Sequence, residues 1–104
     1  MSDPRKLPLV DRFEEIRRLT RTAREAMARD ILSPDAVLAA VAAAATEGHN
    51  SITITPPKSV DLRATEAWKE TEPRLREMGF STEPVQRGGS DGRIFWGFLV
   101  TWPI

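Results

Sequence analysis

The stretch from Ile94 to Trp102 constrains this chain more than any other. Read as a β-strand, it places Ile94, Trp96, Phe98, Val100 and Trp102 on one face, because side chains alternate sides. The opposite face carries Phe95, Gly97, Leu99 and Thr101, which is hardly polar. A strand apolar on both faces must be covered twice, once by the chain's own helices and once by something else.

The elements that could supply the first cover lie upstream. Residues 1–8 hold two prolines and few apolar groups and read as a loose arm. Residues 9–104 read as one α+β domain, large enough to bury a core without disulfides or metal. Asp11 can cap a first helix, with Glu14 at the capping-box position. Phe13, Ile16, Leu19, Ala23, Met27 and Ile31 then recur at three- and four-residue steps, predicting an amphipathic helix that faces a core. Ser33-Pro34-Asp35 stops that helix and starts another, which runs through an alanine-rich stretch to about Glu47 and ends at Gly48.

Ser51 to Thr55 is a short β-branched strand closed by Pro56 and Pro57. Ser59 can cap a third helix running to about Gly79, with Val60, Ala64, Ala67, Trp68, Leu75 and Met78 inward. Alternatively, Ser59 to Arg63 is a strand beside Ser51–Thr55 and the helix starts at Thr65. Pro73 calls for a kink or a fresh start capped by Thr71. Phe80 to Gln86 is a strand, and Pro84 places it at an edge or marks its end. The predicted order is α-α-β-α-β-β: three helices on one face of a small, mostly antiparallel sheet.

Cysteine is absent, which removes thiol catalysis and thiolate metal sites and fits a reducing compartment. With one histidine as well, a zinc site is close to excluded, and no cofactor or metal is expected. Acids and bases balance at 15 each, so net charge does not call for nucleic acid or an anionic membrane. The longest apolar run, Ala36 to Ala45, is far short of the roughly 20 residues that span a bilayer. No leader-like apolar segment opens the sequence, and a cytoplasmic chain is expected.

Five groups could carry chemistry. His49, at a helix end, lacks a sequence-adjacent partner for acid–base work and reads as a surface loop residue. The carboxylates of Glu14, Glu15, Glu66, Glu70, Glu72, Glu77 and Glu83 read as solvated helix faces, with Glu14–Arg18 and Glu25–Arg29 as ordinary (i, i+4) pairs. Arg17, Arg18, Arg21 and Arg24 stripe the first helix, and arginine suits phosphate. The loop from Arg87 to Arg93 has three glycines and could cradle an anion, although Asp91-Gly92 is equally a hairpin signal. Of the tryptophans, Trp96 is expected in the core and Trp102 at an interface.

The alanine-rich helix ending at Glu47-Gly48, the strand Ser51–Thr55, the helix ending at Glu77 to Phe80 and the final strand ending in Thr101-Trp102 form a pattern over residues 36–104. That pattern resembles the small α+β proteins of tailed bacteriophages. The resemblance implies a non-enzymatic accessory or virion-associated protein, acting in the virion or host cytoplasm.

The leading expectation is therefore a protein–protein interaction module, self-associating or bound to another protein, with Phe95, Leu99, Thr101 and Trp102 at its interface. The alternative is a nucleic-acid or nucleotide binder contacting phosphate through Arg17, Arg21, Arg24, Arg87 and Arg93. A carboxylate-based hydrolase, with or without His49, is the third reading.

Overall fold

A computed structural model describes residues 9–89 and 91–104, with side chains from Asp11 onward. The arm at residues 1–8 and the loop position Ser90 lie outside the described residues. The elements are α1 (Leu9–Leu32), α2 (Pro34–Thr46), β1 (Ser51–Ile54), α3 (Glu66–Glu77), β2 (Ser81–Gly88) and β3 (Ile94–Thr101). The strands form an antiparallel sheet in the order β1-β3-β2. The order α-α-β-α-β-β and the α+β class are as the sequence predicts.

The joint between α1 and α2 follows from its residues. Ser33 has extended backbone, and its hydroxyl accepts the Ala36 amide at 3.3 Å, with Pro34 at the first helical position. Gly48, at φ +92°, takes the left-handed conformation just past α2. The first helix begins earlier than Asp11, so Asp11 sits inside its first turn, favourable at the positive helix end, instead of capping it.

The third helix starts where the alternative reading places it, at Thr65, although Ser59 to Arg63 is not a strand. Those residues are neither helix nor strand. The N-cap is Thr65, whose hydroxyl accepts the Trp68 amide at 3.3 Å and donates to the Leu62 carbonyl at 2.6 Å. The helix runs through Pro73. Proline removes only the bond to the carbonyl four residues back, that of Lys69, on an exposed side. Ala64 and Met78, expected inward, are exposed; Val60 is half-buried against the core.

One face of the sheet carries the core. Phe98 and Val100 of β3 are fully buried among Ala28 and Leu32 of α1, Val37 and Val41 of α2, and Trp68 and Leu75 of α3. Trp68 meets Phe98 edge-to-face with centroids 4.8 Å apart. Thr71 of α3 donates its hydroxyl to the Leu32 carbonyl at 2.5 Å, satisfying an acceptor that the end of α1 leaves open. Ile52 and Ile54 of β1 pack on the same core.

Only the carboxy-terminal part of α1 joins this core. Met27, Ala28, Ile31 and Leu32 pack inward. Phe13, Ile16 and Leu19, which the periodicity assigns to the core face, are 61%, 60% and 59% exposed. The reason is length. At 1.5 Å per residue, α1 with 24 residues spans about 36 Å, while α2 with 13 and α3 with 12 span about half of that. The shorter helices cover the end of α1 nearest the sheet, and the amino-terminal half runs beyond them.

Candidate functional site: two uncovered apolar surfaces

The first surface is the protruding half of α1. Phe13, Ile16 and Leu19 follow one another at three-residue steps and continue through Ala23 to Met27, where the stripe enters the core. Arg17 lies beside it, with its guanidinium 5.8 Å from the centre of the Phe13 ring. Arg21 and Arg24 follow Arg17 by four and seven residues and so share its side of the helix. Acids offset part of this charge: Glu14 accepts from Arg17 at 3.0 Å and Glu15 from Arg18 at 2.6 Å. These pairs are (i, i+3), and they replace the expected Glu14–Arg18 pair; Glu25 and Arg29 approach to 3.7 Å as expected.

Glu25 anchors the root of this half-helix. Its carboxylate accepts the amides of Glu66 at 2.8 Å and Ala67 at 2.9 Å, two donors that the start of α3 would otherwise leave open. The Glu66 amide bond lowers its pKa most; partial burial opposes, and Ala67, Arg29 and Lys69 lower it further. Beside it, Arg21, Arg24, Asp61 and Glu66 line a shallow cavity of about 280 Å³. Arginines and carboxylates mix there, so the cavity has no single charge to offer a ligand.

The second surface is the sheet face away from the helices. The register sets Thr53 and Glu83 on either side of Leu99, Val85 beside Gly97, and Arg87 beside Phe95. Phe95, Leu99 and Thr101 are half-buried on this face. Gly97 is enclosed because its neighbours close over it: a Cβ there would lie 2.7 Å from the Thr53 methyl. Arg87 reaches across β3 to donate to the Thr53 hydroxyl at 3.0 Å. The face is therefore a thin layer of side chains with no element stacked on it among the described residues.

The remaining sequence candidates fall elsewhere. Trp102 turns to the helix side, half-buried, with its ring edge-to-face against Phe80 at 6.2 Å. It is thus on the opposite side of the sheet from Phe95, Leu99 and Thr101. Trp96 is not core: it is half-buried beneath Arg63, whose guanidinium stacks 3.6 Å above the ring while Asp61 holds it by paired bonds. Arg63 draws the Asp61 pKa down against opposing desolvation. The 87–93 loop is a hairpin turn, with Gly89 donating to the Arg93 carbonyl at 2.7 Å and Gly92 at φ +83°. Within it Arg93 pairs with Asp91 at 3.3 Å. His49 is exposed beside Glu47 at 3.7 Å.

Among the described residues, no group of three His, Asp or Glu side chains is placed to hold a metal ion, and no helix is long and apolar enough to cross a membrane. The five arginines are not gathered into one site: Arg17, Arg21 and Arg24 lie on α1, Arg87 and Arg93 at the β2–β3 hairpin. No protein-family model, curated protein or solved structure matches this chain.

The sequence missed the protruding stripe because periodicity reports a face without reporting what covers it. The shortfall is one of length: a 24-residue helix exceeds what helices of 13 and 12 residues can shield, and a third helix read from Ser59 to Gly79 hides it.

Proposed function

We propose that this chain is a non-enzymatic protein–protein interaction module that makes its principal contact through the amino-terminal half of α1. The observation that carries this reading is the exposure of three large apolar side chains, Phe13, Ile16 and Leu19, in one continuous stripe. Monomeric proteins rarely leave such stripes wet, and contiguous apolar patches rimmed by polar groups mark contact sites. The open sheet face with Phe95, Leu99 and Thr101 is a second, flatter surface for the same assembly. An accessory or virion-associated role, which the resemblance to phage α+β proteins implies, suits a module of this kind.

The test is a photo-cross-linking residue at position 16 and, as control, at exposed position 30, introduced in the cell of origin. The reading expects a discrete adduct from position 16, to another protein or to a second copy, that disappears with Phe13→Asp. No adduct at position 16, or the same adduct from position 30, contradicts it.

Phosphate binding by Arg17, Arg21 and Arg24 is the second reading. It is weaker, because Arg17 already pairs with Glu14, and Arg87 and Arg93 are bonded to Thr53 and Asp91. It requires retention on heparin at low salt and steep loss as salt rises.

A further inference from the structure

We propose that the open edge of β1 pairs with itself. Two copies of this chain join their Ser51–Thr55 segments antiparallel about a two-fold axis at Thr53, making one continuous six-stranded sheet from two three-stranded ones. This surface is separate from the α1 stripe, and the proposal does not depend on it.

The direction of the hydrogen bonds carries the proposal. The Trp102 amide donates to the Asn50 carbonyl at 3.0 Å. Bonded pairs alternate along an antiparallel ladder, so the next are Ile52–Val100 and Ile54–Phe98. The amides and carbonyls of Ser51, Thr53 and Thr55 therefore point away from β3, and no backbone group meets them among the described residues. The β2 edge is closed by contrast. There the same alternation turns Thr82, Pro84 and Gln86 outward. Pro84 has no amide to offer, and the Thr82 hydroxyl is engaged by Glu72 and Arg76 of α3. Residues 50–55 hold neither proline nor charge. An edge without those guards is a template for another strand.

The strand that fits is its own copy. About Thr53, three residue pairs exchange two bonds each, about six in all: Thr53 with Thr53, and Ser51 with Thr55 in both directions. Ile52 then stands beside Ile54 of the copy on the core side, while serine and threonine pair on the outer side, both favourable cross-strand combinations. Neighbouring registers lose bonds. A centre at Ile54 brings in Pro57, which has no amide, and a centre at Ile52 brings in His49, whose amide is given to the Ala44 carbonyl at 3.0 Å. Beside the edge, Ala40, Ala43 and Ala44 of α2 line an open groove of about 540 Å³ with Ser51 and Ile52. The two-fold brings the two α2 helices antiparallel toward that groove, where alanine leaves them room. It also brings the end carrying Glu47 of one copy to the end carrying Lys58 of the other, so the flanking charges are opposite. A contact of this length is small for an interface, so the dimer is reversible and its fraction rises with concentration.

The test uses the full chain in a concentration series, read by light scattering and by amide exchange in nuclear magnetic resonance. The Thr53 amide, open in the monomer, should exchange at least about tenfold more slowly as the dimer forms. Thr53→Pro removes that amide without touching the Ile52 and Ile54 bonds to β3, and should leave a monomer whose circular dichroism is unchanged. Ile16→Asp should leave the dimer intact. Ser51→Lys with Thr55→Lys sets like charges across the two-fold and should dissolve the dimer, while Ser51→Lys with Thr55→Glu sets opposite charges and should retain it. A monomer at every concentration overturns the proposal, as does equal behaviour of the two double variants or a Thr53 amide that stays fast in the dimer. A dimer that Ile16→Asp dissolves and Thr53→Pro spares also overturns it, and would place self-association on α1. Failure of the cross-link at position 16 leaves this proposal standing.

Discussion

Glu25 of α1 closes the start of α3 by accepting the Ala67 amide at 2.9 Å, beside a bond from the Glu66 amide at 2.8 Å. One carboxylate thereby ties α1 to the start of α3 at the point where α1 leaves the body. Two backbone donors favour its charged form and hold its pKa below the ordinary 4.5. A group with a depressed folded pKa stabilises the fold above its unfolded value, and that contribution is lost as pH falls through the folded value. Glu25→Gln should cost about 1 kcal/mol at neutral pH, as for other caps at a helix start. Parent and variant should converge as acid protonates Glu25 below pH 4.5. Urea unfolding from neutral to acid pH checks this.

Gly97 of β3 leaves no room for a side chain. A Cβ would meet the Thr53 methyl at 2.7 Å and the methyls of Thr55 and Val85 at 3.4 Å. Gly97→Ala should destabilise by about 1–3 kcal/mol, the usual range for overpacking. Thr53→Ser removes the closest methyl, so the double variant should recover part of the loss. A four-way cycle of urea midpoints measures the coupling.

The core rests on β3 and α3. Leu75 is fully buried, so Leu75→Ala should cost about 2–5 kcal/mol. Leu19, of the same side-chain type, is 59% exposed, and Leu19→Ala should stay within about 0.5 kcal/mol. Paired urea denaturations of the two variants check the contrast.

Trp96 lies under the Arg63 guanidinium at 3.6 Å, while Trp68 is buried against Phe98. Arg63→Ala should uncover the Trp96 ring and increase its quenching by acrylamide, leaving Trp68 protected. Asp61→Asn should act in the same direction by weakening the bonds that hold Arg63. Acrylamide quenching of the parent, of each variant and of a Trp96→Phe control, which leaves Trp68 in place, measures both.

Much of this fold was legible because local signals agreed with the long-range arrangement. Ser33-Pro34, Gly48, Gly79 and the alternation of β3 each mark an element boundary or face that the fold uses. Where they failed, a tertiary contact had decided the matter. Ser59 and Thr65 both offer a cap, so the sequence leaves the two starts open; Thr65 starts α3, and Glu25, 41 residues from Glu66 in sequence, completes that start. No local pattern announces such a partner. Pro73 stays inside α3, where the amide it lacks would face solvent. Trp96 was assigned to the core by alternation, but it stands toward the end of β3 where the helices no longer cover it, and Arg63 takes their place. The protruding stripe on α1 has the same origin: sequence marks which side is apolar, and the lengths of neighbouring elements decide how much of it is covered.

The central claim is that the Ile16 face lies open in the lone chain and closes when a partner docks. The chain contains no cysteine, so Ile16→Cys places a single reporter on that face. Its reaction with a thiol reagent at low protein concentration should proceed at nearly the rate of a free thiol and slow markedly in the cell of origin, where the partner is present. Slow labelling in the dilute, isolated chain, or labelling just as fast in the cell, would contradict the account.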